Sequence, residues 1–286
     1  IRGQAFNADG NETGGDFLVD ISTNSLGQQP SAAGLEDGGF VVTWTVRDSL
    51  TDDYDIMGQV YNAAGARKGD EFLVNTTTEN RQMSASVTGL SDGGFVVVWN
   101  DFSETGEDTS STAVRCQAYD SDGGVRGGEF LVNTNTENLQ ADPSVASLSD
   151  GGFVITWRDR SQSKSDVSVD AVFGKTYNSD GSESSSDFLV NTTTIFSQVD
   201  PSVAGLSDEH FVVVWTDFSE TGGDMSRSAI RGQVFASNAA EQGNQAPTAS
   251  DDIAETTAGS PVTVDVLAND SDPDTDALSI DDAGNP

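Results

Sequence analysis

Gly38-Gly39-Phe40-Val41-Val42-Thr43-Trp44 is the first copy of a phrase that returns almost unchanged along the chain. Further copies occupy 93–99 and 151–157, and a degraded copy ends at Trp215, so the four tryptophans step by 55, 58 and 58 residues. Phe-Leu-Val triplets recur at the same steps and begin at Phe17, Phe72, Phe130 and Phe188. A period in this range indicates a repeat architecture, in which each unit buries its apolar face against the next.

The strand that carries the phrase is apolar on both faces. In the second copy, Phe95 to Trp99 are apolar at every position, whereas a strand wet on one face would alternate. Sheets stacked face to face cover both sides of such a strand, either radially as propeller blades or linearly as a solenoid.

Turn residues divide each repeat into short strands. In the third copy Ser149-Asp150-Gly151-Gly152 predicts a hairpin turn before the strand that starts at Phe153, and helix signals are nearly absent. Residues 1–229 hold four repeats, and 230–235 begin a fifth. We therefore expect an all-β, propeller-like array of four repeats of about 58 residues and four strands each over 1–235; an open β-repeat array or solenoid is the alternative.

The charge balance excludes several partners. The 286 residues include 47 acidic and 13 basic ones, for a formal net charge of −34. Nucleic acid and anionic membrane surfaces need clustered Lys and Arg, so neither is an expected partner. No apolar run is long enough to insert into a membrane. The chain opens in mid-pattern, so any export signal is expected to lie outside it.

The tail is a different module. Ala236 to Gly243 reads as a linker, and the phrase Leu267-Ala-Asn-Asp-Ser-Asp-Pro-Asp274 follows within residues 244–286. This segment resembles the opening half of the cadherin-like and immunoglobulin-like repeats of very large bacterial surface and secreted proteins. We expect a partial β-sandwich there, since such a domain needs about twice that length to close.

The repeat region is similar to repeats of the same giant adhesin-like proteins. The shared phrases are Gly-Gly-Phe-Val-Val-x-Trp, Gly-Gln-x-Tyr and Glu-Phe-x-Val-Asn. The resemblance implies an extracellular, cell-surface location and an adhesive or structural role, and it implies no catalysis.

Calcium is the strongest predicted ligand. Alternating carboxylates can converge on one cation, and Ca²⁺ takes several oxygen ligands in flexible geometry. The chain has such a run at Asp270, Asp272, Asp274 and Asp276. The run lacks the glycine and distal glutamate of an EF-hand, so it is a different kind of calcium loop, and a solvated acidic loop is the alternative interpretation.

The loops that follow the tryptophans are weaker metal candidates. The loops after Trp99 and Trp215 share the phrase Asp-Phe-Ser-Glu-Thr-Gly and could bind cations or form a recognition face, although solvated loops are the safer interpretation. The candidate residues are Asp101, Glu104, Asp108, Asp217, Glu220 and Asp224. The tryptophans themselves are expected in the core, not as sugar platforms.

These observations favour a non-catalytic, extracellular structural or adhesive repeat protein that binds calcium and self-assembles, with strand exchange between subunits forming fibres. Glycans or cell surfaces are further expected partners. An active site should appear as one copy that departs from the rest, and the copies look uniform, so we expect no enzyme. The alternative is a carbohydrate-binding module or an accessory region of a secreted polysaccharide-degrading enzyme.

Overall fold

The computed structural model describes residues 1–7, 9–21, 26–48, 51, 53–162, 168–207, 209–221 and 226–237. The chain divides into two compact units, Ile1–Ala240 and Glu241–Pro286, and the second lies outside the described residues. The predicted linker, from residue 238 onward, and the predicted partial sandwich lie outside them as well. The described part holds no helix long and apolar enough to cross a membrane.

The repeat region is a row of antiparallel sheets, which we call blades, and the strands of each blade pair in chain order. An N-terminal pair of strands precedes the first blade; it comprises β1 (Arg2–Phe6) and β2 (Glu12–Leu18). The first blade comprises β3 (Leu26–Gly34), β4 (Phe40–Arg47), β5 (Tyr54–Tyr61) and β6 (Arg67–Leu73).

The remaining blades repeat this order. The second comprises β7 (Gln82–Gly89), β8 (Phe95–Asp101), β9 (Ala113–Tyr119) and β10 (Val125–Leu131). The third comprises β11 (Gln140–Ser147), β12 (Phe153–Asp159), β13 (Ala171–Tyr177) and β14 (Phe188–Leu189). The fourth has three strands among the described residues, β15 (Gln198–Gly205), β16 (His210–Asp217) and β17 (Ala229–Ala236).

The prediction of an all-β, propeller-like array is confirmed. The first strands of successive blades contact one another, β3 with β7, β7 with β11 and β11 with β15. Four apolar clusters lie between neighbouring sheets, and each draws residues from two of them. The tryptophans lie in these layers and are at most 4% exposed. The core is therefore a series of layers between blades, which explains why the second strands are apolar on both faces.

The predicted hairpin between β11 and β12 forms as its sequence requires. The N–H of Leu148 donates to the carbonyl of Gly152 at 2.9 Å, and Gly151 has a φ of 95°. Only glycine takes such a backbone without cost, so the Asp-Gly-Gly phrase fixes this turn in the first three blades.

Repeated side chains join the blades to one another. Ser31, Ser86 and Ser144 occupy the same position of three first strands, and each hydroxyl accepts a backbone N–H from the next blade at 3.1–3.4 Å. On the outermost strands a phenylalanine ring lies over a small residue of the third strand, and a Cβ on Gly174 would lie 2.6 Å from the Phe188 ring. These positions repeat because they hold neighbouring elements together.

Candidate functional site

A buried aspartate ends the second strand of each of the last three blades. Asp101, Asp159 and Asp217 accept the N–H of a serine two residues further on, at 2.7–3.0 Å. In the second and fourth blades an arginine of the third strand also donates to the carboxylate, Arg115 to Asp101 and Arg231 to Asp217. These two predicted metal ligands are therefore already bound to protein donors.

The third blade breaks this pattern. Phe173 occupies the position of the two arginines, so Asp159 has no arginine partner there. Burial raises the pKa of Asp159 above its ordinary value. Burial also acts on Asp101 and Asp217, but hydrogen bonds from serine, glutamine and arginine leave the pKa of both lowered. One copy of the repeat is thus electrostatically unlike its neighbours.

The remaining predicted metal ligands are spread out. Asp108 is buried and accepts hydrogen bonds from Ser110 and Asn133, whereas Glu104 and Glu220 are exposed. Within the described ranges no three His, Cys, Asp or Glu side chains are grouped to hold a metal ion. Asp224 and the run Asp270, Asp272, Asp274 and Asp276 lie outside those ranges, so the calcium site stays a prediction.

An open groove of about 640 Å³ lies between the third and fourth blades, at the end where the first strands begin. We call it the Phe196 groove. The residues that line it are Asp170, Phe196, Ser197, Val199, Phe218, Glu220 and Arg227. Two aromatic rings are exposed there, Phe196 by 62% and Phe218 by 40%. Exposed aromatic faces beside a few polar groups are typical of a ligand site.

Phe196 has an unfavourable backbone conformation. Its φ is 63°, and the equivalent residues of the two preceding repeats, Asn80 and Asn138, have φ values of 63° and 64°. Asparagine tolerates the left-handed region, whereas a bulky residue in it costs roughly 1–2 kcal/mol. An exposed phenylalanine at this position therefore weakens the fold and needs another explanation.

Asp170 holds the base of the groove together. Its side chain is 4% exposed and accepts hydrogen bonds from the Ser197 hydroxyl at 3.0 Å and the Arg160 Nε at 2.9 Å. A backbone bond connects the two blades beneath it, since the N–H of Gln198 donates to the carbonyl of Asp170 at 2.9 Å. The segments that carry the two aromatic rings are thus held in place by hydrogen bonds.

Arg227 lines the groove and differs from the two arginines that pair with Asp170. Arg158 and Arg160 both lie within ion-pair distance of Asp170, at 3.6 and 2.9 Å. The Arg227 side chain is exposed, and within the described part of the chain it has no carboxylate or hydrogen-bond partner. Arg81 likewise has no carboxylate within ion-pair distance among the described residues, but its guanidinium lies 5.5 Å from the centre of the Tyr54 ring.

Two carboxylates, Asp142 and Asp200, occupy equivalent positions on the first strands of the third and fourth blades. Each first strand carries a bulge at the same position, and the residues there have φ values of 49–59°; they are Gln29, Ser84, Asp142 and Asp200. Burial raises the pKa of Asp142; the Arg158 guanidinium at 3.2 Å lowers it, and the charges of Asp200 and Asp170 raise it further. The net shift is upward, and bulges are frequent beside active sites.

Sequence reasoning missed the Phe196 groove, although the sequence contained a signal. Glu79-Asn80 and Glu137-Asn138 are replaced by Ile195-Phe196 in the last copy. The third repeat also has Phe173 for arginine and Lys175 for glutamine. Matching the repeated positions drew attention to what the copies share and away from these exchanges.

The comparisons with known proteins concern both parts of the chain. Residues 244–286 match the family described as a bacterial Ig domain, which supports an immunoglobulin-like segment at the C-terminus. The search of curated proteins gives no match.

Several solved structures share the fold of the repeat region. The GH93 α-L-arabinofuranosidase of Fusarium graminearum with arabinobiose has a TM-score of 0.51 at 13% identity over 76% of this chain. The same enzyme with an iminosugar inhibitor has a TM-score of 0.52, also at 13% identity, and again over 76% of this chain. A protein of unknown function from Dyadobacter fermentans has a TM-score of 0.51 at 10% identity over 74% of this chain and 66% of its own. The chain spans 65% of the arabinofuranosidase in both of its structures.

These comparisons correct two expectations. The non-catalytic, adhesive and self-assembling protein is not supported, because glycoside hydrolases share this fold and favour the carbohydrate-related alternative. The expectation of no enzyme is wrong for the same reason. At this identity the likeness shows the fold alone. The physical error was to treat stacked sheets as a scaffold only, since their loops also build grooves between blades.

Proposed function

We propose that the repeat region is the carbohydrate-recognising part of an extracellular, polysaccharide-active protein, and that the glycan binds in the Phe196 groove. The observation that carries the proposal is the exposed Phe196 ring in a left-handed backbone. Folding alone would favour asparagine at this position, so the ring is retained for a contact outside the chain.

The chemistry of the groove suits a sugar. A pyranose or furanose ring has an apolar face of C–H groups and an edge of hydroxyls. Phe196 and Phe218 offer aromatic faces to the former, and Ser197, Glu220 and Arg227 offer hydrogen-bonding groups to the latter. The arabinofuranosidase of Fusarium graminearum, which shares this fold, acts on a sugar. The bacterial Ig-like segment is in keeping with an extracellular protein.

Paired phenylalanine variants test the proposal. Binding of the whole chain to a panel of soluble polysaccharides is measured by affinity electrophoresis and calorimetry. The whole chain should bind at least one of these polysaccharides. Phe218→Ala should weaken that binding about tenfold, because a stacked aromatic contributes roughly 1.5 kcal/mol. Phe102→Ala is the matched control, since Phe102 occupies the same position of the second blade. Failure of the wild type to bind, or equal effects of both variants, would contradict the proposal.

Hydrolysis of the bound glycan is a second candidate, and the observation that favours it is the raised pKa of Asp142 near Asp200. Glycoside hydrolysis uses one protonated carboxyl and one ionised carboxylate around the scissile bond. Asp142 would be the proton donor and Asp200 the second carboxyl group. Asp142→Asn should then reduce the release of reducing ends by about a hundredfold, whereas the control Asp159→Asn should not. No release by the wild type would exclude it.

A further inference from the structure

Charge singles out one feature of the Phe196 groove. Ion pairs engage the other cations near it, Arg158 with Asp142 and Arg160 with Asp170, at 3.2 and 2.9 Å. Arg227 lines the groove without such a partner among the described residues, and its neighbour Glu220 is not within ion-pair distance. A planar guanidinium matches a carboxylate in two parallel hydrogen bonds.

The whole-chain charge restricts the ligand further. At a net charge of −34 the protein repels a polyanion, and one guanidinium does not offset that repulsion. At about 0.15 M salt the screening length is about 8 Å. The electrostatic energy of an isolated carboxylate bound to Arg227 therefore depends mainly on the charges in its immediate surroundings. A polymer with a carboxylate on every sugar would also place charges beside Glu220 and Asp170.

We infer that the Phe196 groove selects a largely neutral polysaccharide with isolated uronate groups, and that Arg227 binds the uronate carboxylate. The neutral sugars lie on the Phe196 and Phe218 rings. This inference rests on the proposed function and adds the class of glycan. Arg227 is then a residue that determines specificity. The two aromatic rings contribute affinity for any glycan of suitable shape, charged or neutral.

Three probes test the inference on the whole chain at 0.15 M salt by calorimetry. They are fragments of glucuronoxylan, the same fragments with their carboxyls reduced to alcohols, and polygalacturonate fragments of equal length. The wild type should bind the native glucuronoxylan fragments about three- to tenfold more tightly than the reduced ones, the range for a charge-assisted contact at a partly exposed site. Polygalacturonate should bind most weakly.

Arg227→Gln should bind native and reduced fragments equally, at the affinity that the wild type has for the reduced ones. Arg81→Gln, an exposed arginine between the first two blades, should retain the wild-type preference. Equal wild-type affinity for native and reduced fragments, or strongest binding of polygalacturonate, would overturn this inference and leave the proposed function intact. No binding of any probe, with Phe218→Ala also without effect on the wider panel, would overturn both.

Discussion

The boundary between the first two blades and the boundary between the last two share one backbone and differ in their side chains. Asn80 and Phe196 have the same φ of 63°. At the first boundary the Arg81 guanidinium lies 5.5 Å from the centre of the Tyr54 ring, whereas Ser197 and Asp170 occupy those positions at the last one. The first boundary covers its aromatic ring with its own arginine, and the last leaves two rings exposed.

The difference separates residues that build the array from residues that serve another purpose. The inter-blade serines and the core tryptophans are the same in every blade because each blade must pack against the next. Phe196 contributes nothing comparable to packing and occupies a strained position. In a tandem repeat the informative residue is therefore the one that departs from its copies at a cost in stability.

The largest expected effect concerns the buried aspartates. Asp101→Asn leaves Arg115, whose side chain is 12% exposed, without its main partner and should cost about 3 kcal/mol of unfolding free energy. Asp159→Asn removes a charge that burial disfavours, so its effect should stay within about 1 kcal/mol. Urea unfolding of the two variants and the wild type measures the contrast. Equal losses would show that the third blade is not electrostatically distinct.

The pH dependence provides the control for that prediction. The lowered pKa of Asp101 gives stability that is present above about pH 4 and is lost as the pH falls through its folded value. The raised pKa of Asp159 changes the stability in the opposite direction. The stability that it contributes is present below about pH 4 and is lost as the pH rises through the pKa of the folded state. Acid should therefore destabilise Asp101→Asn less steeply than the wild type, and Asp159→Asn more steeply.

Most of the fold could be predicted from the sequence. The period of the Phe-Val-Val-x-Trp phrase and its unbroken apolar character require stacked sheets, and the Asp-Gly-Gly turns place the hairpins. The arrangement of the outermost strands was harder to foresee. The Phe-Leu-Val strands pair with the strand before them, since the Phe72 ring covers Gly58 and the Phe188 ring covers Gly174.

The Phe196 groove was missed for a different reason. Phe196 by itself does not signal a left-handed backbone, because the residues that normally do so are asparagine and glycine; only its equivalence to Asn80 and Asn138 points to that conformation. That Arg227 has no carboxylate partner among the described residues also depends on distances between loops. The acidic loops drew attention instead, and at Asp101 and Asp217 the carboxylates serve the fold.

The most direct test of the account is Phe196→Asn, which restores the residue of the two preceding repeats. We expect the free energy of unfolding to rise by about 1 kcal/mol, and the unfolding temperature to rise with it, because asparagine tolerates the left-handed backbone. The same variant should bind the glycan about tenfold more weakly, because one aromatic platform is lost. A variant that is less stable and binds as well as the wild type would contradict the claim that Phe196 is retained for a ligand.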